Sequence, residues 1–302
     1  MLWLLAAELR KLLRPLVWGT ALAIVAFCLL ITWGAAHNAH AGLASPKIPN
    51  ICDTARTEQC RQVINHAHAE ARAAAAATYR LTRPGEIGHV AAGMLASLPG
   101  LLLIAMVAGG HWGGEWGSKT IRQLLTREGR RYRILLAKFI SIWAAGAGTL
   151  VVCYLILAVA APLFATQAGL PSQEHLALWT GLGGSLTDAA RALVVLGLFA
   201  AIGTAAGTIG RGQLATAALT AGTMLLALLL AGITSLGQLS PASFVQAWMR
   251  FAPVGYLPTN FWSRFISNGP SLSQLAGLAG ITATAAIAAA IARWRFAADV
   301  TV

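Results

Sequence analysis

In the stretch GGEWGSKT, Gly113 to Thr120, a Gly precedes Lys119 and Thr120 at the spacing used by loops that cradle nucleotide phosphates. That chemistry needs bare backbone amides closing on the phosphates while the Lys reaches them. The residue before the Lys has to be Gly, and here it is Ser118. A phosphate loop also follows a β-strand of an α/β domain, whereas this stretch follows a long apolar run. Nucleotide binding is therefore not expected in this segment.

Other reactive side chains are few. Cys52 and Cys60 precede His66 and His68, a set that could suggest zinc. An i, i+2 His pair on a helix points in divergent directions, so a Cys52–Cys60 disulfide on an oxidising side is the better reading, with no metal. Cys28 and Cys153 fall inside apolar runs, where free thiols are the default. Asp188 and Arg191 stand at i, i+3 in another apolar run. They can neutralise each other there, or snorkel; substrate contact is the alternative. His89 reads as interfacial. Midplane carboxylate pairs, a His-Glu metal helix and Ser-His or Ser-Lys constellations are all missing, which argues against an intramembrane enzyme. The shortage of charge inside the runs also argues against proton- or sodium-coupled transport.

The elements that position these residues follow from composition. The 302 residues are 57% hydrophobic and 11% charged, with mean hydropathy +0.66, where a globular domain carries about 25% charge. Six apolar runs, at about 15–37, 87–109, 138–162, 186–209, 213–233 and 272–291, are each long enough for a helical span. They are rich in Ala, Leu and Gly without polar alternation, so helices are favoured over barrel strands. The expected fold is all-α: one polytopic transmembrane domain over residues 1–302. The first run is too long for the apolar core of a cleavable signal peptide and is expected to be retained.

Lys and Arg set the orientation. The segment 111–137 with Lys138 carries Lys119, Arg122, Arg127, Arg130, Arg131 and Arg133 against Glu115 and Glu128, and so reads as cytoplasmic. Six spans then put the basic N-terminus, the turn Gly210-Arg211-Gly212 and the C-terminal Arg293 and Arg295 on that side. The loop 38–86 is placed outside, although it holds six Lys or Arg residues. The net charge of +12 is mainly a topology signal and a match to anionic headgroups. Nucleic acid is not an expected partner, because the basic residues are not gathered on a soluble domain.

Residues 1–14 form an amphipathic helix, with Leu5, Leu9 and Leu12 on one face and Glu8 on another. It either lies in the membrane interface or extends the first span inward past Pro15. Segment 234–271 has prolines and aromatics that suit short helices or a re-entrant segment at the outer interface. In the cytoplasmic loop, Glu115 to Arg127 reads as one amphipathic helix. Trp116, Thr120, Ile121, Leu124 and Leu125 cover one side of it, and Glu115 can pair with Lys119 at i, i+4. Gly203, Ala206, Gly207 and Gly210 permit close helix approach.

The order Glu115, Thr120, Leu124-Leu125, Arg130-Arg131, Lys138 resembles the first cytoplasmic loop of ATP-binding-cassette (ABC) permeases of the type-two class. One departure is Lys119, where that pattern has Gly. The resemblance extends in outline to the interfacial helix, the six spans and the outer segment. It implies a cytoplasmic-membrane permease subunit of an exporter, with no ATPase site and no cofactor of its own. Its partners would be the lipid bilayer, a second permease that is a copy or a homologue, and two ATPase subunits carrying Mg-ATP docked below. The coupling contacts would be Glu115, Trp116, Thr120, Ile121, Leu124, Leu125 and Arg127, with Leu5, Glu8, Leu9 and Leu12 of the interfacial helix. An ion-coupled secondary transporter and a non-transporting sensor or immunity protein are the alternatives.

Overall fold

The computed structural model describes residues 2–11, 15–44, 62–70, 73, 76, 82, 85–127, 130–170, 182–231, 239–249 and 272–298. No strand occurs among them. Helix α1 (Leu2–Arg10) precedes α2 (Pro15–Ala44), and α3 (Ile87–Leu95) precedes α4 (Leu98–Ala108). A π-helical turn (Gly109–Gly113) leads into the short helices α5 (Gly114–Gly117) and α6 (Thr120–Arg127). Then come α7 (Arg131–Gln167), α8 (Leu182–Gly210), α9 (Gln213–Ala231), α10 (Pro241–Met249) and α11 (Gln274–Ala298).

Four helical stretches are long and apolar enough to cross a bilayer: Val17–Ala41, Arg131–Gln167, Leu182–Gly210 and Gln274–Ala297. They mark the chain as a membrane protein. The bent pair α3–α4 would supply a fifth crossing, and the apolar stretch of α9, Gln213–Ala227, is shorter than a span. The run at 87–109 is thus two helices meeting at 52°, not one straight span. Pro99 in the first turn of α4 is the cause, because it lacks the N–H that would return to Leu95 and its ring clashes with that carbonyl. Gly100 fits beside the same carbonyl, where an added Cβ would lie 1.9 Å from the Leu95 oxygen. The run at 138–162 is the middle of a helix of 37 residues, which at about 1.5 Å per residue outreaches a hydrocarbon core of about 30 Å.

α8 is the axis of the bundle. Of its apolar stretch 78% is buried, against 33% in the first span and 28% in α7 and α11, and α3, α4, α7, α9 and α11 pack around it. The outer helices keep apolar side chains such as Leu22, Leu30, Val159 and Ile287 exposed, as a lipid solvent permits. Association in lipid then rests on close packing of small residues. A Cβ on Gly203 would lie 2.9 Å from the Ala108 Cβ, and one on Gly207 would lie 2.2 Å from the Trp112 Cγ. The Phe244 ring of α10 seats on Gly280 of α11 in the same way, and Gly277 lets the α10 backbone approach at Phe244 and Trp248. α2 and α7 run side by side; Cys28 and Cys153 are free and buried.

Cys52 and Cys60, and with them the expected disulfide, lie outside the described residues, as do Leu12, the side chain of Arg127 and segment 250–271.

Candidate functional site

α1 places Leu4, Glu8 and Lys11 on one face at i, i+4 and i+7. Leu4 is 1% exposed and Glu8 2%, so the carboxylate expected on a solvated face points into the bundle. Leu5 is half-buried and Leu9 stays 37% exposed. The reason is a buried cation. Lys138, about two turns into α7, is fully buried, and its ammonium lies 2.7 Å from Glu115 Oε2 and 3.5 Å from Glu8 Oε1. It also sits 4.9 Å from the centre of the Trp112 ring and 3.4 Å from the His111 carbonyl oxygen.

Lys11 closes the cluster. Its ammonium is 2.7 Å from Glu8 Oε1 and also bonds Glu115 Oε1, 104 residues away in sequence. His111 Nδ1 lies 3.4 Å from Glu8 Oε2 and 3.3 Å from Ser141 Oγ. Two carboxylates and two ammonium groups balance, which is what burial of charge demands. Glu8, Lys11 and Glu115 lie outside the apolar runs and Lys138 opens one, so the cluster forms at the end of the runs, where α1 brings Glu8 and Lys11 to ions that α5 and α7 hold.

The π-helical turn aims these groups. Its sequence GGHWG has little intrinsic preference for the α-helix, and the wider turn directs His111 and Trp112 inward, both buried. Trp112 is seated on Gly207, under Lys138, and edge-on to Phe296 with ring centres 5.7 Å apart. The glycines also admit the start of α9. A Cβ on Gly113 would stand 2.1 Å from both the amide nitrogen and the Cα of Gln213, and one on Gly109 would stand 2.7 Å from the Gln213 carbonyl oxygen.

The segment 115–127 is two helices, where one was expected. Lys119 has φ +58, a left-handed conformation that ends α5 before α6 begins. It also carries the Lys119 side chain out to an exposed position, so Glu115 pairs with Lys11 and Lys138 in place of Lys119. Trp116 is half-buried, with the Arg211 guanidinium 5.5 Å from its ring centre. Ile121 is buried, Leu124 and Leu125 pack half-buried on the core, and Thr120 is exposed. Because φ > 0 strains any residue with a Cβ by about 1 to 2 kcal/mol, Lys119→Gly is expected to raise stability by about 1 kcal/mol. Lys119→Ala should bring no such gain; thermal unfolding of the two variants separates backbone strain from charge.

Between α1 and the α5–α6 segment lies a cleft of about 310 Å³, lined by Trp3, Gly114, Ser118, Thr120, Gln123 and Leu124. Lys11 and Glu115 of the charged cluster also line it. At the same end of the bundle, Arg131 of α7 donates to the Ala297 carbonyl at 3.1 Å. The opposite end carries a second polar group: Arg191 Nη1 donates to Asp188 Oδ1 at 2.8 Å, and His89 of α3 bonds the other Asp188 oxygen. Trp248 Nε1 donates to the Arg191 carbonyl at 3.1 Å, tying α10 to the group.

Burial works against the Glu8 carboxylate, yet the neighbouring His111 ring nitrogen and the charges of Lys138 and Lys11 outweigh it and hold its pKa below the ordinary 4.5. Burial likewise works against the Lys11 ammonium, and Glu8 and Glu115 overcome it, so its pKa rises above 10.5. A lowered carboxyl stabilises fully above 4.5 and loses that contribution as pH falls through its folded value; a raised ammonium stabilises below 10.5 and loses it as pH climbs through its own. Proteolytic cleavage within α1 should therefore change little between pH 5 and 10 and accelerate in acid well below 4.5.

Sequence reading pointed to Glu8 and Glu115 but passed over Lys11, His111 and Ser141, and took Lys138 only as the opening cation of a span. The available signal was a Lys followed by the uninterrupted apolar run of α7. Compared with protein-family models, curated proteins and solved structures, the chain finds no match.

Proposed function

We propose that the chain is the permease subunit of an ABC exporter of the type-two class, moving a hydrophobic or amphipathic substrate across the cytoplasmic membrane. In this reading α3 and α4 together make the second of six spans, α9 makes the fifth, and both termini are cytoplasmic. Two separate ATPase subunits bind Mg-ATP and dock below, and a second permease copy completes the transport path. The carrying observation is that α1 and the α5–α6 segment, far apart in sequence, meet through Lys11 and Glu115 and share one cleft. A push delivered there reaches α4 through the π-helical turn and α7 through Lys138, so a rigid-body shift of a docked subunit would tilt both.

The ion-coupled reading gains one observation, the buried Glu8, His111, Glu115 and Lys138, since ionisable groups inside a bundle often relay protons. Their mutual neutralisation and position at one end of the helices favour a mechanical role. Copurification with a Walker-type ATPase, followed by ATPase assays in nanodiscs, tests the proposal. Thr120→Trp, which fills the exposed mouth of the cleft, is expected to lower permease-stimulated ATP hydrolysis by about thirtyfold, the effect of losing one interface hot spot, with the melting temperature unchanged. Substrate uptake driven by a proton or sodium gradient in ATPase-free liposomes would transfer the assignment to the second reading.

A further inference from the structure

The four charges, of which Glu8, Glu115 and Lys138 are buried and Lys11 half-buried, divide along the boundary between α1 and the rest of the bundle. Glu8 and Lys11 both belong to the α1 segment and pair with each other at 2.7 Å. Glu115 and Lys138 both belong to the bundle and pair with each other at 2.7 Å. Among the described residues, three polar contacts cross the boundary: Lys11 with Glu115, Lys138 with Glu8 at 3.5 Å, and His111 with Glu8 at 3.4 Å. Breaking a buried ion pair is ordinarily prohibitive because it strands an uncompensated charge in low dielectric. Here the plane of separation passes between pairs, so each half stays neutral when the two part.

We infer that α1 is a detachable latch, built to leave and rejoin the ends of α5 and α7 with its inward Glu8–Lys11 pair intact. Its apolar hold is small. Leu4 is buried in the core, while Trp3 and Leu9 remain exposed at 53% and 37%. The cross-boundary contacts are therefore the main grip. The cleft between α1 and the α5–α6 segment opens on Lys11 and Glu115, which places one of the three cross-boundary contacts within reach of whatever enters it. A group that competes for either ion weakens the latch without burying a bare charge. The inference concerns the chain by itself and stands whichever partner or ion drives it.

The test uses the full chain in nanodiscs with Leu4→Cys as a reporter. Labelling by a water-soluble maleimide is read at that site by peptide mass, so the chain's own cysteines do not interfere. In this background, the exchange Glu8→Lys with Lys11→Glu keeps the α1 pair, the net charge and every span residue, and turns the contacts with Glu115 and Lys138 repulsive. Labelling at position 4 is expected to accelerate by about tenfold or more, since modification of a transiently opened site follows the population of the open form. Adding Glu115→Lys and Lys138→Glu restores attraction across the boundary and should slow labelling again. An α1 exchange that labels no faster than its parent overturns the latch. So does a four-site variant that labels as fast as the α1 exchange.

Discussion

Lys138→Met is expected to destabilise the protein by about 3 to 5 kcal/mol, the range measured when one partner of a buried ion pair is removed. Lys138 is fully buried with carboxylates on two sides, so its loss leaves Glu115 without its 2.7 Å partner. The Met side chain fills most of the volume, which separates the charge effect from a cavity effect. Adding Glu115→Gln removes the stranded carboxylate, and the Glu8–Lys11 pair remains. The double variant should recover more than half of the loss. Denaturant titrations of Lys138→Met, Glu115→Gln and the double variant in detergent give the coupling energy. A loss below about 1 kcal/mol for Lys138→Met would mean that water screens the cluster as it screens a surface pair.

The second large effect is expected at Gly113. An Ala methyl there would stand 2.1 Å from the amide nitrogen and Cα of Gln213 and 2.4 Å from the Gly212 carbonyl carbon. These are backbone atoms with no rotamer to escape into, so α9 would have to move off the π-helical turn. Gly113→Ala should cost about 3 kcal/mol, at the upper end of overpacking losses. Displacement would also loosen Trp112, the residue next to it and the platform for Lys138. Gly117 supplies the control, because a Cβ there meets nothing within 4 Å; Gly117→Ala should be neutral or stabilise by up to about 1 kcal/mol. Thermal melts of the two variants check the pair. Equal melting temperatures would mean that α9 does not rest on the turn.

The features that the sequence made plain are those decided within one helix. Each apolar run satisfies its own backbone hydrogen bonds in lipid, so helical class and membrane solvent follow from local composition. The Asp188–Arg191 contact is of the same kind, two side chains brought together by helical spacing alone. Pro99 shows where local reading stopped short, since a proline can be tolerated in a membrane helix or can bend it, and the 52° angle between α3 and α4 depends on the neighbours that accept the bend.

The candidate site is different in origin. Glu115 had Lys119 available at i, i+4, and a single positive φ at Lys119 withdrew that partner. The chain holds 22 Lys and Arg residues against 10 Asp and Glu, so charge counting could not name the cations that Glu8 and Glu115 would find. Composition and periodicity determined that this is a bundle of membrane helices led by an amphipathic segment. Only the tertiary structure decided that this segment turns Glu8 and Lys11 inward, because the energy of burying an ion depends on the opposite ion being within a few ångströms, and here that ion comes from more than a hundred residues along the chain.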